Sequence, residues 1–136
     1  ESQKMTEQEA ECIRIRDIRR FVESGLGQRM KKAAMKKHLY REQPFVIQRN
    51  ASMLDDGWKN ETVLVQGIID AYFMEEEEIV LVDYKTDRVK RGQEQKLIDL
   101  YHVQLEDYAR ALERMTGKRV KEKIIYSFTL QKEILL

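Results

Sequence analysis

Cysteine occurs once in these 136 residues, and so does proline. The single thiol, Cys12, excludes an internal disulfide framework and any zinc or iron–sulfur site built on several cysteines. One proline and an apolar fraction of 42% exclude a proline-rich linker and fit a compact domain. Long hydrophobic runs are missing as well. The longest apolar stretch, Val63 to Phe73, is broken by Gln66, Gly67 and Asp70, so it is too short and too polar to cross a bilayer. The polar opening segment, Glu1 to Ala10, has no signal-peptide pattern. A cytoplasmic protein without a membrane partner is the expectation. Charge of one sign is not in excess either: 25 Lys+Arg stand against 24 Asp+Glu, a net charge of +1. The molecule as a whole attracts a polyanion only weakly, so any contact with nucleic acid has to come from local patches.

What is present suffices for one domain with one core. The chain opens without methionine, in the middle of polar sequence, which reads as a piece of a longer protein. Thr6-Glu7-Gln8-Glu9 has the form of a capping box. Asp17 is placed to cap a helix with Ile18, Phe21 and Val22 on one face. Ser24-Gly25-Leu26-Gly27 interrupts it, and a basic helical stretch, Gln28 to Lys37, follows. Beyond this helical portion, to about residue 40, a core over 41–130 is expected. Pro44 makes Glu42 to Ile47 an edge or opening strand. Arg49 to Thr62, with Asp55-Asp56-Gly57, is a polar connection. Val63–Met74 and Ile79–Lys85 read as strands around a solvated turn at Glu75–Glu78. Leu97, Tyr101, Leu105, Tyr108, Leu112 and Met115 recur at helical spacing, with Asp99 as the cap and Gly117 as the stop. A last strand covers Val120 to Thr129. The order predicts a mixed α/β layer fold with an antiparallel hairpin at its centre.

The hairpin concentrates chemistry. Counting outward from the turn places Met74 opposite Ile79, Tyr72 opposite Leu81, and Asp70 opposite Asp83. Opposed residues of an antiparallel pair share a face, with Cβ atoms about 5 Å apart. Alternation adds Lys85 to the same face. Adjacent carboxylates resist joint ionisation, and aspartate is a poor strand former, so the arrangement needs compensation. Two readings follow. In one, a hard divalent cation, Mg²⁺ or Mn²⁺, satisfies both acids, with the Tyr84 carbonyl as a further ligand. It would activate a water, and Lys85 would orient that water or neutralise charge on the pentacovalent phosphorus. In the other, the aspartates end strands at a solvated edge and pair with Lys85. Gln104, inside the apolar helix face, is costly unless hydrogen-bonded. It either snorkels at the margin, binds a phosphate, or holds a metal-ligating carboxylate.

Gly67-Ile68-Ile69-Asp70, Val82-Asp83-Tyr84-Lys85-Thr86 and Gln104-Leu105-Glu106-Asp107-Tyr108 together resemble three motifs of the RecB-type nucleases in the PD-(D/E)XK superfamily. These are the glycine–apolar–apolar–aspartate strand, the DYKT strand and the QxxxY helix. Order and spacing match over roughly Asp17 to Leu130. Within the superfamily, Leu26 to Met30, Tyr40 to Phe45 and Val65 to Asp70 are similar to the C-terminal nuclease domains of the AddA type, from bacterial AddAB (RexAB) recombination complexes. The resemblance implies a restriction-endonuclease-like core, a mixed sheet with a central antiparallel hairpin flanked by helices. It also implies that Asp70 and Asp83 bind the metal, that Lys85 is catalytic, and that Gln104 and Tyr108 complete the site.

The implied reaction is Mg²⁺-dependent cleavage of DNA single strands produced by unwinding. The implied partners are a helicase portion of the same chain and an AddB-type partner protein. AddB-type nucleases would be expected to show cysteines for an iron–sulfur cluster, which a single cysteine disfavours here. The family usually has a metal-binding histidine on an upstream helix. Neither His38 nor His102 matches it, so the chain is expected to begin after that helix. Glu42 matches a recurrent acidic position without an assigned role. Alternative functions are a non-catalytic docking or DNA-holding module, and a stand-alone endonuclease. Arg88, Lys90 and Arg91 follow Lys85 and are candidate contacts to DNA phosphates, whereas Lys31, Lys32, Lys36 and Lys37 read as a solvated face. Trp58 is expected to be a local packing anchor and Cys12 a buried small hydrophobe.

Overall fold

A computed structural model describes residues 15–50 and 62–136. The segments around Thr6, Cys12, Asp55-Asp56-Gly57 and Trp58 lie outside the described residues. Two helices, α1 (Ile15–Glu23) and α2 (Gly25–Met35), precede strands β1 (Leu39–Asn50), β2 (Thr62–Glu75) and β3 (Glu78–Lys85). Helix α3 (Glu94–Thr116) and strands β4 (Val120–Ser127) and β5 (Lys132–Leu135) follow. The strands form one five-stranded sheet in the order β1-β2-β3-β4-β5. Only β3 and β4 are parallel, and α3 is the crossover between them. The mixed α/β fold with a central antiparallel hairpin is therefore as expected, and Pro44 lies in an edge strand.

Each face of the sheet has its own core. On one, α3 packs Leu97, Leu105, Tyr108 and Leu112 against Ile79, Leu81 and Ile125. On the other, α2 packs Leu26, Met30 and Ala33 against Ala71, Phe73, Val80, Val82, Ile124 and Tyr126. Being covered on both sides, β3 can be apolar without alternation, which explains the run Ile79-Val80-Leu81-Val82. In β2, Ile69 and Tyr72 pack on the same face while Ala71 and Phe73 pack on the other. Strict alternation would separate Ile69 from Tyr72, so the strand changes phase between them. Glu42 in β1 sits beside this point with a left-handed φ of 48°. The ladder there passes from Arg41↔Ala71 directly to Gln43↔Ile69.

Several boundaries differ from the sequence reading. Asp17 lies inside the first turn of α1 and not at its cap, and β1 extends beyond Glu42–Ile47 at both ends, so that Arg49 and Asn50 belong to the strand and not to the connection. The break after α1 is confined to Ser24, whose Oγ accepts from the Gly27 amide at 3.1 Å, so α2 starts at Gly25 and not at Gln28. Helix α3 starts five residues before Asp99. Its first turn is polar and carries no periodicity, and Gln93 closes the preceding turn by accepting from the Lys90 amide at 2.8 Å. Asp99 is instead a mid-helix residue accepting from Gln95 at 2.9 Å. Strand β5 was not anticipated, because a four-residue strand with one buried side chain, Ile134, has no legible pattern. The Glu75–Glu78 segment is not wholly solvated. Only Glu76 and Glu77 form the exposed turn, both with positive φ. Glu75 accepts two hydrogen bonds from Arg29 at 2.9 and 2.8 Å and stands 3.2 Å from Lys121. Those cations hold its carboxyl down at about 2. Arg29 also reaches Glu122 at 2.6 Å, so this cluster fastens α2 to the hairpin's turn end. The Gly117 stop is as expected: φ is 71° and its amide bonds to the Glu113 carbonyl at 2.9 Å.

Candidate active site

The β2–β3 ladder runs from Glu75↔Glu78 to Ala71↔Val82, with Tyr72 opposite Leu81 and Met74 opposite Ile79 as counted from the sequence. One step further, Asp70 meets Asp83, and here the main-chain ladder gives way to a side chain. The Tyr84 amide donates to Asp70 Oδ2 at 2.9 Å. Since N–H and C=O of one residue in a strand leave on the same side, the Tyr84 carbonyl also points toward β2. From Asp83 onward β3 is held by β4 instead, through Asp83↔Ile125, Tyr84↔Tyr126 and Lys85↔Ser127.

Asp83 is completely buried. The Lys85 ammonium stands 2.9 Å from its Oδ2, while no donor reaches its Oδ1 among the described residues. Asp70 is half-buried, and its carboxyl is pushed up to about 7. Burial is the main cause, the Asp83 charge beside it the second and a hydrogen bond between the two carboxyls the third, against smaller opposing effects of the Tyr84 amide and Lys85. Lys85 is itself almost enclosed. Its ammonium donates to Gln104 Oε1 on α3 at 3.1 Å and lies 4.0 Å from the centre of the Tyr101 ring. The Tyr101 hydroxyl in turn donates to Asp87 Oδ2 at 2.7 Å. The half-buried amide of Gln104 thus meets the lysine, a partner that the sequence reading did not name.

Tyr108, one turn beyond Gln104, is 2% exposed and packs edge-on against Phe45, ring centres 5.0 Å apart. Phe45 pairs with Gly67 across β1 and β2. The three motif segments therefore touch. The Tyr84 ring points to the opposite face, into a cluster with Phe21 and Phe128, where burial pushes its hydroxyl up to about 12.

The PD-(D/E)XK nuclease superfamily has a sequence profile that matches residues 3–134. The chain belongs to that superfamily. The mixed sheet described above is accordingly a fold of that nuclease superfamily. The chain is 40% identical over 139 residues to the AddA component of the ATP-dependent helicase/nuclease of Clostridium novyi (strain NT), covering 98% of this chain and 11% of that protein. It is 46% identical over 129 residues to the corresponding AddA component of Acetivibrio thermocellus, covering 91% and 10%. It is thus a nuclease domain homologous to AddA proteins, spanning about a tenth of their length. Among solved structures, the crystal structure of SSO0001 superposes with a TM-score of 0.52 at 17% identity, over 90% of this chain and 49% of that one, a likeness of fold alone.

In this superfamily member the donor set fits a divalent cation. Two carboxylates face one ammonium, and one buried carboxylate oxygen lacks any donor. Among the described residues no third Asp, Glu, His or Cys joins them. Glu42 is exposed, His38 is exposed just before β1, and His102 is exposed on α3. Arg88, Lys90 and Arg91 are exposed on the connection between β3 and α3, next to the site. Lys31, Lys32, Lys36 and Lys37 are exposed on or just after α2, across the sheet from Lys85. Sequence reasoning missed Tyr101 and Asp87. Tyr101 was absorbed into the apolar stripe of α3, and Asp87 lies two residues past Lys85, where alternation from Asp83 would have pointed to it.

Proposed function

We propose that Asp70, Asp83 and the Tyr84 carbonyl hold a divalent cation, Mg²⁺ or Mn²⁺, and that the domain hydrolyses phosphodiester bonds of DNA. The observation that carries this reading is the charge imbalance at Asp83: a fully buried carboxylate with an undonated oxygen, beside a second carboxyl that burial first, and the Asp83 charge next, keep from ionising easily. Hard oxygen donors with room for water suit these ions. When bound, such a cation polarises a phosphoryl oxygen and acidifies a coordinated water.

The chain's own groups do the rest. The Tyr84 amide fixes one oxygen of Asp70, so that the carboxylate is aimed before a cation arrives. Lys85, held between Asp83 and Gln104, presents fixed positive charge where negative charge develops on phosphorus. Tyr108 and Phe45 wedge α3 against β1, which keeps Gln104 over the lysine. Arg88, Lys90 and Arg91 contact the phosphates of the strand entering the site.

The names of the relatives supply the setting. We infer that the domain is the exonuclease part of an ATP-dependent helicase/nuclease. It would degrade single strands delivered by the helicase portion of the same protein, together with an AddB-type partner protein, in cytoplasmic double-strand-break repair and recombination. The test is Mg²⁺- or Mn²⁺-dependent degradation of single-stranded DNA by the full-length protein, compared with its Asp83→Ala variant. Loss of degradation with unwinding retained is expected; unchanged degradation would refute the assignment.

A further inference from the structure

Lys85 has more neighbours than charge neutralisation requires. Asp83 Oδ2 at 2.9 Å and Gln104 Oε1 at 3.1 Å restrain two directions of its ammonium. The third is covered by the face of the Tyr101 ring at 4.0 Å, the geometry of a cation held over a π-system. That ring is not merely core. Tyr101 is half-buried and its hydroxyl is anchored on Asp87 at 2.7 Å. Asp87 belongs to the segment just after Lys85, which is itself pinned. Thr129 Oγ1 donates to the Asp87 carbonyl at 2.7 Å, and the Phe128 amide bonds to the Lys85 carbonyl at 3.0 Å. The contacts therefore close a loop: Lys85, the Tyr101 ring, the Tyr101 hydroxyl, Asp87, and back along the chain to Lys85. A long flexible side chain gains little from one partner, but a closed set of contacts from two elements removes most of its rotamers.

We propose that Tyr101, held by Asp87, is a positioning residue that fixes the ammonium of Lys85 for the reaction. This rests on the nuclease reading for its consequence, though not for its geometry. Asp87 sets the ring plane, and the ring face together with Gln104 allows the ammonium one location, on the Asp83 side. A tyrosine that only filled the core would be replaced without loss by phenylalanine or leucine of sufficient volume. A ring that carries the cation needs its face and its anchor.

Two measurements separate these cases and also separate failure of the proposal from failure of the nuclease reading. The first is proton NMR of the domain without metal. A ring 4.0 Å from Nζ shifts the terminal methylene protons of Lys85 upfield. We expect that shift in the wild type, its loss in Tyr101→Leu, and its reduction in both Tyr101→Phe and Asp87→Ala, where the ring has lost its anchor. No upfield shift in the wild type, or one untouched by Asp87→Ala, overturns the proposal. The second is steady-state cleavage of single-stranded DNA by the full-length protein. Tyr101→Leu should lower kcat by about 10- to 100-fold, with KM and Mn²⁺ affinity unchanged, and Tyr101→Phe, which keeps the ring face and loses the anchor, should recover only part of the loss. In a Lys85→Ala background, Tyr101→Leu should cost nothing further. Additive losses, or a KM effect alone, would overturn it. If Asp83→Ala leaves cleavage intact, the nuclease reading fails while the NMR arm still decides whether the ring holds the lysine.

Discussion

Gly67 and Phe45 are cross-strand partners set so close that a Cβ on residue 67 would stand 2.9 Å from Phe45 Cε1. The phenyl ring lies over the glycine and meets Tyr108 on its far side. The glycine of the Gly-Ile-Ile-Asp segment therefore serves the site through packing: it lets Phe45 lie down, which seats Tyr108 and with it the helix bearing Gln104. Gly67→Ala should destabilise the domain by about 1–3 kcal/mol, as overpacking does. This should occur despite the usual gain from replacing a strand glycine. Urea titration at fixed pH measures it, and a neutral or stabilising result would contradict this account.

Asp70 gives a pH dependence of definite sign. Its carboxyl sits at about 7 in the folded state, against about 3.9 in an unfolded chain. Between those values the unfolded chain ionises and the folded one does not. Stability of the metal-free protein is therefore highest below about pH 4 in this respect, and is lost as the pH rises to about 7. Asp70→Asn removes the loss. Without metal at pH 8 the variant should be more stable than the wild type by about 1–3 kcal/mol, with the gap closing toward pH 4. Saturating Mn²⁺ should stabilise only the wild type and reverse the ranking. Thermal melts across pH, with and without Mn²⁺, test both halves.

Glu75 has the opposite sign. Arg29 and Lys121 hold its carboxyl at about 2, so its contribution is complete above about pH 4.3 and disappears as the pH falls through about 2. Glu75→Gln should lose about 1–2 kcal/mol at pH 7, a figure kept modest because both partners are partly exposed. The difference from wild type should shrink between pH 4 and pH 2. Acid titration of stability for the two proteins would show it.

Gln104→Leu keeps the size and removes the acceptor of the Lys85 ammonium. Cleavage of single-stranded DNA should fall by about tenfold or more, while the domain stays folded, since leucine suits an apolar helix face. Retained activity would mean that Asp83 and the Tyr101 ring place the lysine without Gln104.

The sequence made the central hairpin legible because its two halves are apolar on both sides of a short polar turn. Once Met74 is set against Ile79, the meeting of Asp70 and Asp83 is arithmetic. The QxxxY helix was legible for a similar reason, its stripe being regular from Leu97 onward. Features carried by single contacts were not. The phase change between Ile69 and Tyr72 lies beside a left-handed glutamate in the neighbouring strand, and glutamate gives no warning of that conformation. Tyr101 looked like any other member of an apolar stripe, because periodicity cannot tell a ring that fills space from one that carries a cation. Strand β5 adds one buried side chain to a sheet already formed, too little to mark the sequence.

The rung in which the Tyr84 amide bonds to a carboxylate, where a strand partner's carbonyl would ordinarily stand, has a consequence for observation. An amide held by main chain reports only whether the sheet is intact. This one is held by a group whose proton is lost near neutrality, so its resonance should move with the ionisation of Asp70 and again when a cation takes that carboxylate. The domain thus carries a native, label-free indicator of its own charge state, readable in a nitrogen–proton spectrum before any DNA is cut.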